Sequence, residues 1–103
     1  MIIKDKACLR SFAEKTVCER CGKRVFTGLD PHHVFGRGMA GGKRLDIPLA
    51  LCAICRTCHD LYHNGKIPKS EFVAIIASRE RMTPEAVEAE INRILRLPKG
   101  SRL

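Results

Sequence analysis

Six cysteines and four histidines stand among 103 residues, and their spacing decides what chemistry they can do. Cys18 and Cys21 form a Cys-x-x-Cys pair directly before Gly22, and Cys55 and Cys58 form a second. Two intervening residues let a tight turn aim both sulfurs at one point about 2.3 Å away, as tetrahedral zinc requires. Two such pairs complete a four-thiolate structural site. The spacing leaves one choice open, because Cys52 and Cys55 also form Cys-x-x-Cys. A secreted chain would pair its cysteines as disulfides, whereas a reducing compartment turns the same count toward metal or catalysis. No βαβ pattern supports a thioredoxin-like role for either pair. The 33 residues between Cys21 and Cys55 exceed the ~15–20 of a simple zinc ribbon, so that stretch must fold as its own unit with its ends tied by the metal. Such a site supplies about 10 kcal/mol or more of folding free energy.

All four histidines lie between the first cysteine pair and Gly65. His59 and His63 are four apart, so on a helix both rings project from one face within reach of a common ion. His32 and His33 are adjacent, and on an extended segment they point to opposite sides. One of the two can join His59 and His63 on a metal while the other handles a proton.

The elements that must position these groups follow from periodicity and punctuation. Residues 4–15 place Ala7, Cys8, Leu9, Phe12 and Ala13 mostly on one side of a short helix, with Cys8 as a buried free thiol. From Val17 to Gly28 a cysteine turn leads into a β-prone run, and Leu29–Val34 is the strand expected to answer it. Phe35–Arg44 carries four glycines and three basic residues, a basic loop. Ile47–Cys52 reads as a second extended segment or a lead-in. Arg56–His63 reads as a helix stopped by Asn64-Gly65. Ser70 is the expected cap of a helix reaching about Arg81, and Thr83-Pro84-Glu85 starts another that ends at Leu97-Pro98. The organisation is a single domain: a helical lead (1–17), a zinc-clamped core (18–65) and C-terminal helices (66–103).

Composition narrows the partners. Nineteen Lys and Arg against 11 Asp and Glu give a net charge of +8, which favours a polyanion, since each cation near a phosphate releases counterions. With no Trp, one Tyr and four Phe, a core of large rings is excluded, and the 45% hydrophobic share excludes a disordered polar chain. The chain offers neither an apolar span of the length a membrane needs nor a signal-type apolar segment, so it reads as soluble and cytoplasmic. Two amphipathic C-terminal helices fit a monomer, by closing over the core, or a homodimer.

Taken together, Cys18-x-x-Cys21, Asp30-Pro-His-His33-Val, Gly36-Arg-Gly38, Leu51 through Cys55-x-x-Cys58-His59 and His63-Asn-Gly65 resemble the HNH endonuclease family, whose fold is the α+β ββα-metal (His-Me finger) motif. The arrangement is especially similar to small phage and prophage HNH proteins, and its three-histidine form is similar to the colicin DNases. The resemblance spans residues 18–65. It implies His33 as the general base, His32, His59 and His63 as ligands of a catalytic divalent ion, and Cys18, Cys21, Cys55 and Cys58 on a structural Zn²⁺, with Cys52 set aside. It departs from the family at Ala50, where the middle Asn falls, because Ala has no side-chain hydrogen bond to offer. Asp46 and Asn64 are nearby substitutes, although neither sits at the matching position.

The implied reaction is hydrolysis of DNA phosphodiester bonds. An imidazole with an ordinary pKa of ~6.5 can take water's proton, and a divalent ion offsets charge on the phosphate and the departing oxygen. Imidazole ligands suit Zn²⁺, Ni²⁺ or Co²⁺, whereas phosphate turnover commonly relies on Mg²⁺ or Mn²⁺. Asp30 reads equally as an acceptor that orients one of the histidines and as a turn residue before Pro31. Arg37, Lys43 and Arg44 in the glycine loop are expected on the DNA backbone, and without a recognition helix the sequence preference is expected to be weak. The alternative is a zinc-containing module, without catalysis, that binds nucleic acid or serves phage replication or packaging.

Overall fold

In the computed structural model, residues 2–35 and 44–98 are described. Asp5 opens the first helix as its N-cap, accepting a hydrogen bond from the Cys8 N–H at 3.1 Å, and α1 runs over Lys6–Ala13. Phe12 is its buried anchor, with the Arg79 guanidinium 5.0 Å above the ring. Cys8 is only partly buried, less than the apolar pattern implied.

Two small sheets follow. β2 (Asp30–His33) pairs antiparallel with β4 (Leu51–Ile54), in the register Asp30 to Ile54 and His33 to Leu51. β1 (Ile2–Ile3) pairs parallel with β3 (Arg44–Leu45). The strand over 29–34 is therefore answered by β4 and not by the run before it. That run instead closes on itself, with Val17 bridging Arg24 around the cysteine turn. All four residues of β4 are buried, and the apolar run over 47–52 divides into a lead-in through Pro48–Ala50 and the first half of β4. Its other edge is covered by Glu19, whose N–H donates to Ala53 O at 2.9 Å and whose Oε1 accepts from the Ala53 N–H at 2.8 Å. Arg79 locks this arrangement by donating to both Glu19 oxygens, to Leu51 O at 3.1 Å and to Pro48 O, the last in a 3₁₀ turn over Pro48–Ala50.

α2 (Arg56–His63) starts at Cys55 and stops as expected, with Gly65 at φ 73° and Lys66 N–H returning to Leu61 O at 2.9 Å. α3 (Lys69–Glu80) begins two residues earlier than the Ser70 cap implied. Pro68 is its N-cap residue and supplies no side-chain bond; its fixed φ breaks the chain there, and its carbonyl accepts from the Glu71 N–H. α4 (Pro84–Leu95) is capped by Thr83, which accepts from the Ala86 N–H at 3.1 Å. Phe72, Val73, Ile76 and Ala77 of α3 and Val87, Ile91 and Ile94 of α4 are buried, the latter at helical spacing. α3 packs on α4 and on β4, so these helices close over the core within one chain. No described helix is long and apolar enough to cross a membrane.

One glycine sets where β2 begins. Gly28 holds φ 101°, and a Cβ there would lie 2.9 Å from the Ala13 carbonyl oxygen that accepts the Leu29 N–H. Gly28→Ala is expected to cost about 1–3 kcal/mol, read as a lower urea midpoint with an unchanged slope.

Candidate functional site

The two cysteine pairs meet where the hairpin at Val17–Arg24 abuts the start of α2. The sulfurs of Cys18, Cys21, Cys55 and Cys58 all lie within 4.8 Å of one another. Cys18 to Cys58 and Cys21 to Cys55 each measure 3.8 Å between sulfurs, and a tetrahedron with 2.3 Å arms has edges of about 3.8 Å. The cluster thus fits a structural metal such as zinc. Its backbone is already arranged for thiolates: Cys18 Sγ accepts from the N–H groups of Cys21 (3.5 Å) and Cys55 (3.3 Å), and Cys55 Sγ accepts from that of Cys58 (3.5 Å). Burial opposes ionisation of Cys18, but these donors outweigh it and bring its thiol down to about 7. Burial pushes Cys58 up to about 12, so metal entry must displace its proton. Arg20 Nη1 donates to Cys58 Sγ at 3.6 Å and its Nε to Glu71, placing a cation beside the thiolates. Cys52 is outside the cluster. It is fully buried with Sγ toward Phe72 O, and burial raises its thiol to about 12.

One turn along α2 from the cysteines, Pro31, His32, His33, His59, Tyr62 and His63 line a cleft of about 370 Å³. The four histidines singled out from the sequence therefore share one cavity. His59 and His63 face each other, Nε2 to Nε2 at 3.0 Å. The other nitrogen of His59, Nδ1, lies 3.0 Å from Asp30 Oδ2, and Arg56 shares that carboxylate oxygen at 3.4 Å. A histidine fixed in this way by a carboxylate presents its far nitrogen outward, which is the orienting one of the two readings of Asp30.

His32 is buried, with its ring 4.6 Å from Tyr62, 5.1 Å from Phe72 and 5.4 Å from His59, centroid to centroid. Its Nε2 is buried without a hydrogen-bond partner. Burial, and then the neighbouring histidines, lower it to about 4, so it is neutral at physiological pH. Among the described residues only the four cysteines bring three or more ligand atoms within 4.8 Å of one another. His32 thus lines the cleft without closing to that distance on the His59–His63 pair.

His33 points to Asp46, one of the two nearby substitutes for the missing Asn. Its Nε2 lies 2.8 Å from Oδ1 of Asp46, which is 1% exposed. Asp46 also accepts from Arg44 Nε (3.1 Å) and Nη2 (3.0 Å) and from the Asp5 N–H (2.8 Å). Burial works against its charge, but these donors hold the carboxyl at about 2. An ionised carboxylate only accepts, so His33 Nε2 carries the proton and Nδ1 keeps a free lone pair. The signal available in the sequence was Arg44-x-Asp46, two residues apart with one face of a strand in common. Arg44, expected on DNA phosphates, instead directs its guanidinium to Asp46 and is 31% exposed. Arg37 and Lys43 lie outside the described residues. Ala50 is buried, and its carbonyl accepts from the Val34 N–H at 2.8 Å, tying down the residue after His33 with backbone alone.

No protein-family model, curated protein or solved structure matches this chain.

Proposed function

We propose that the chain is a metal-dependent DNA endonuclease of the HNH type, built as a ββα-metal unit from β2, β4 and α2 with Zn²⁺ on the four cysteines. The observation that carries the reading is the cleft itself, where a carboxylate-braced histidine stands opposite a histidine pair that is braced by a different carboxylate. His33 is the catalytic residue: Nδ1 takes a proton from a water, the hydroxide attacks phosphorus, and the 3′ oxygen leaves. Asp46 is a positioning residue that fixes the tautomer this step needs.

Two donors about 2.1 Å from an ion and at right angles stand about 3.0 Å apart, which matches the separation of His59 and His63 Nε2. His59 and His63 would hold Mg²⁺, Mn²⁺, Zn²⁺, Ni²⁺ or Co²⁺, and His32 would become the third donor only by moving closer to them than it stands here. Such an ion supplies Lewis-acid stabilisation of charge on the phosphate and the departing oxygen. The +8 net charge draws the DNA backbone to the protein.

The test is supercoiled plasmid with purified protein and Mg²⁺ or Mn²⁺, run beside His33→Ala. Wild type is expected to convert plasmid to nicked and linear forms, and the variant is not. Retardation of DNA with no cleavage under any divalent ion would establish the binding module instead.

A further inference from the structure

The hairpin that carries the first cysteine pair ends in an aromatic ring that the fold does not use. Cys18 N–H donates to Lys23 O at 2.9 Å and Val25 N–H to Thr16 O at 2.6 Å, after which the chain turns and Gly28 N–H returns to Val25 O at 3.4 Å. Phe26 sits in that turn and is 79% exposed, the most exposed large apolar side chain among the described residues. The Arg24 guanidinium lies 6.0 Å from its ring centroid. Lys23 and Arg24 are both exposed, and residues 23–28 contain no acid. Glu19, the acid on the same hairpin, is occupied by Arg79 and the Ala53 N–H. An open ring beside two exposed cations is the combination by which proteins stack bases while holding the strand.

We propose that Phe26 is a stacking platform for an unpaired DNA base, with Lys23 and Arg24 on the flanking phosphates. The choice of DNA rests on the nuclease reading. In a duplex both faces of each base are covered by neighbours, so a ring at a turn tip meets a base face only at a single-stranded segment, a flap or a frayed end. Asp30 is four positions along from Phe26, a reach of at most about 14 Å, and Asp30 braces His59. A base held on Phe26 therefore lies within a few nucleotides of the histidine cleft, which makes DNA with an unpaired segment the favoured substrate class.

The chain has no Trp, so Phe26→Trp introduces a single indole reporter. In a His33→Ala background with no added divalent ion, a 12-nucleotide oligothymidylate is expected to quench that emission. Phe26→Ala and Phe26→Leu are expected to bind the oligonucleotide about fivefold to a hundredfold more weakly, and Phe26→Tyr to restore binding, with little change for a blunt duplex of the same length. Leucine keeps the apolar bulk but cannot stack, so it separates a base platform from a protein-docking residue. Unquenched emission at saturating oligonucleotide, or parental affinity in Phe26→Ala, overturns the proposal and assigns the ring to a protein contact. The assay reads binding alone. A wild type that never nicks plasmid while the indole is still quenched would overturn the nuclease reading and leave the platform standing.

Discussion

Replacing Cys18 and Cys21 together with serine is expected to unfold the chain and abolish binding of zinc at the four-cysteine cluster. The hydroxyl of serine is a hard donor that stays protonated at neutral pH, so two of four ligands are lost. A structural zinc site contributes about 10 kcal/mol or more, and a domain of this size holds only about 5–15 kcal/mol in total. The loss therefore consumes most or all of the margin. The contacts that remain, chiefly those of Glu19 with Ala53 and Arg79, replace only part of that loss. The Val17–Arg24 hairpin has a single bridge of its own, and the Cys18 sulfur is itself the acceptor for the N–H groups of Cys21 and Cys55 that fix the hairpin against α2. The measurement is far-ultraviolet circular dichroism through a thermal melt, with zinc counted by a chromophoric chelator. Cys52→Ala is the control. It lies in the core rather than in the cluster, so it is expected to keep one zinc equivalent and melt somewhat lower. A folded Cys18/Cys21 double variant with unchanged zinc would show that the clamp is misassigned. Acid is expected to do the same work as the substitutions, because protons compete with the metal for thiolates.

The parts of this arrangement legible in the sequence are those carried by short spacings. Two residues between cysteines and three between His59 and His63 constrain geometry locally, so neither needs the rest of the fold to be known. The choice between the pairs Cys52/Cys55 and Cys55/Cys58 is different: β4 runs through Cys52 with every residue buried and its sulfur toward Phe72 O, whereas Cys55 and Cys58, past the strand's end, reach the cluster, a distinction that spacing does not encode. The pairing of β2 with β4 was hidden because the partner lies beyond the basic loop, whereas the nearer β-prone run looked like a sufficient answer. Asp46 was harder still. It reaches His33 only because β1 and β3, two residues each, pair in parallel and bring the Asp5 N–H and Arg44 onto one carboxylate. Two-residue strands leave no periodicity to read, and a charged pair so close in sequence reads first as a solvated loop. Phe26 was legible as a residue but not as an exposed one, since a β-prone run gives no hint that its ring ends in a turn.

Asp46→Asn is expected to lower the plasmid-nicking rate by about 10²- to 10⁴-fold, close to the loss from His33→Ala. The carboxylate accepts at both oxygens: Oδ2 from Asp5 N–H and Arg44 Nη2, Oδ1 from Arg44 Nε and His33. An asparagine has one oxygen for these donors. The oxygen is favoured beside Asp5 and Arg44 Nη2, where both partners are obligate donors, and the amide NH₂ then faces His33. Nε2 must become the acceptor, the ring proton moves to Nδ1, and the lone pair that takes water's proton is gone. Asp46→Ala removes the brace without imposing the wrong tautomer, so it is expected to lose less activity than Asp46→Asn despite the larger deletion. That inversion is the signature of a positioning residue, because a purely structural role would rank the two variants the other way. The paired variant His33→Ala/Asp46→Asn should lose no more than His33→Ala alone, since both act on one proton transfer. Retardation of uncleaved DNA should be unchanged throughout, placing the effect on the chemical step. Because the carboxyl is held at about 2, its own titration adds no step to the wild-type pH profile between pH 5 and 9. Nicking by Asp46→Asn at the wild-type rate would remove His33 from the role of base.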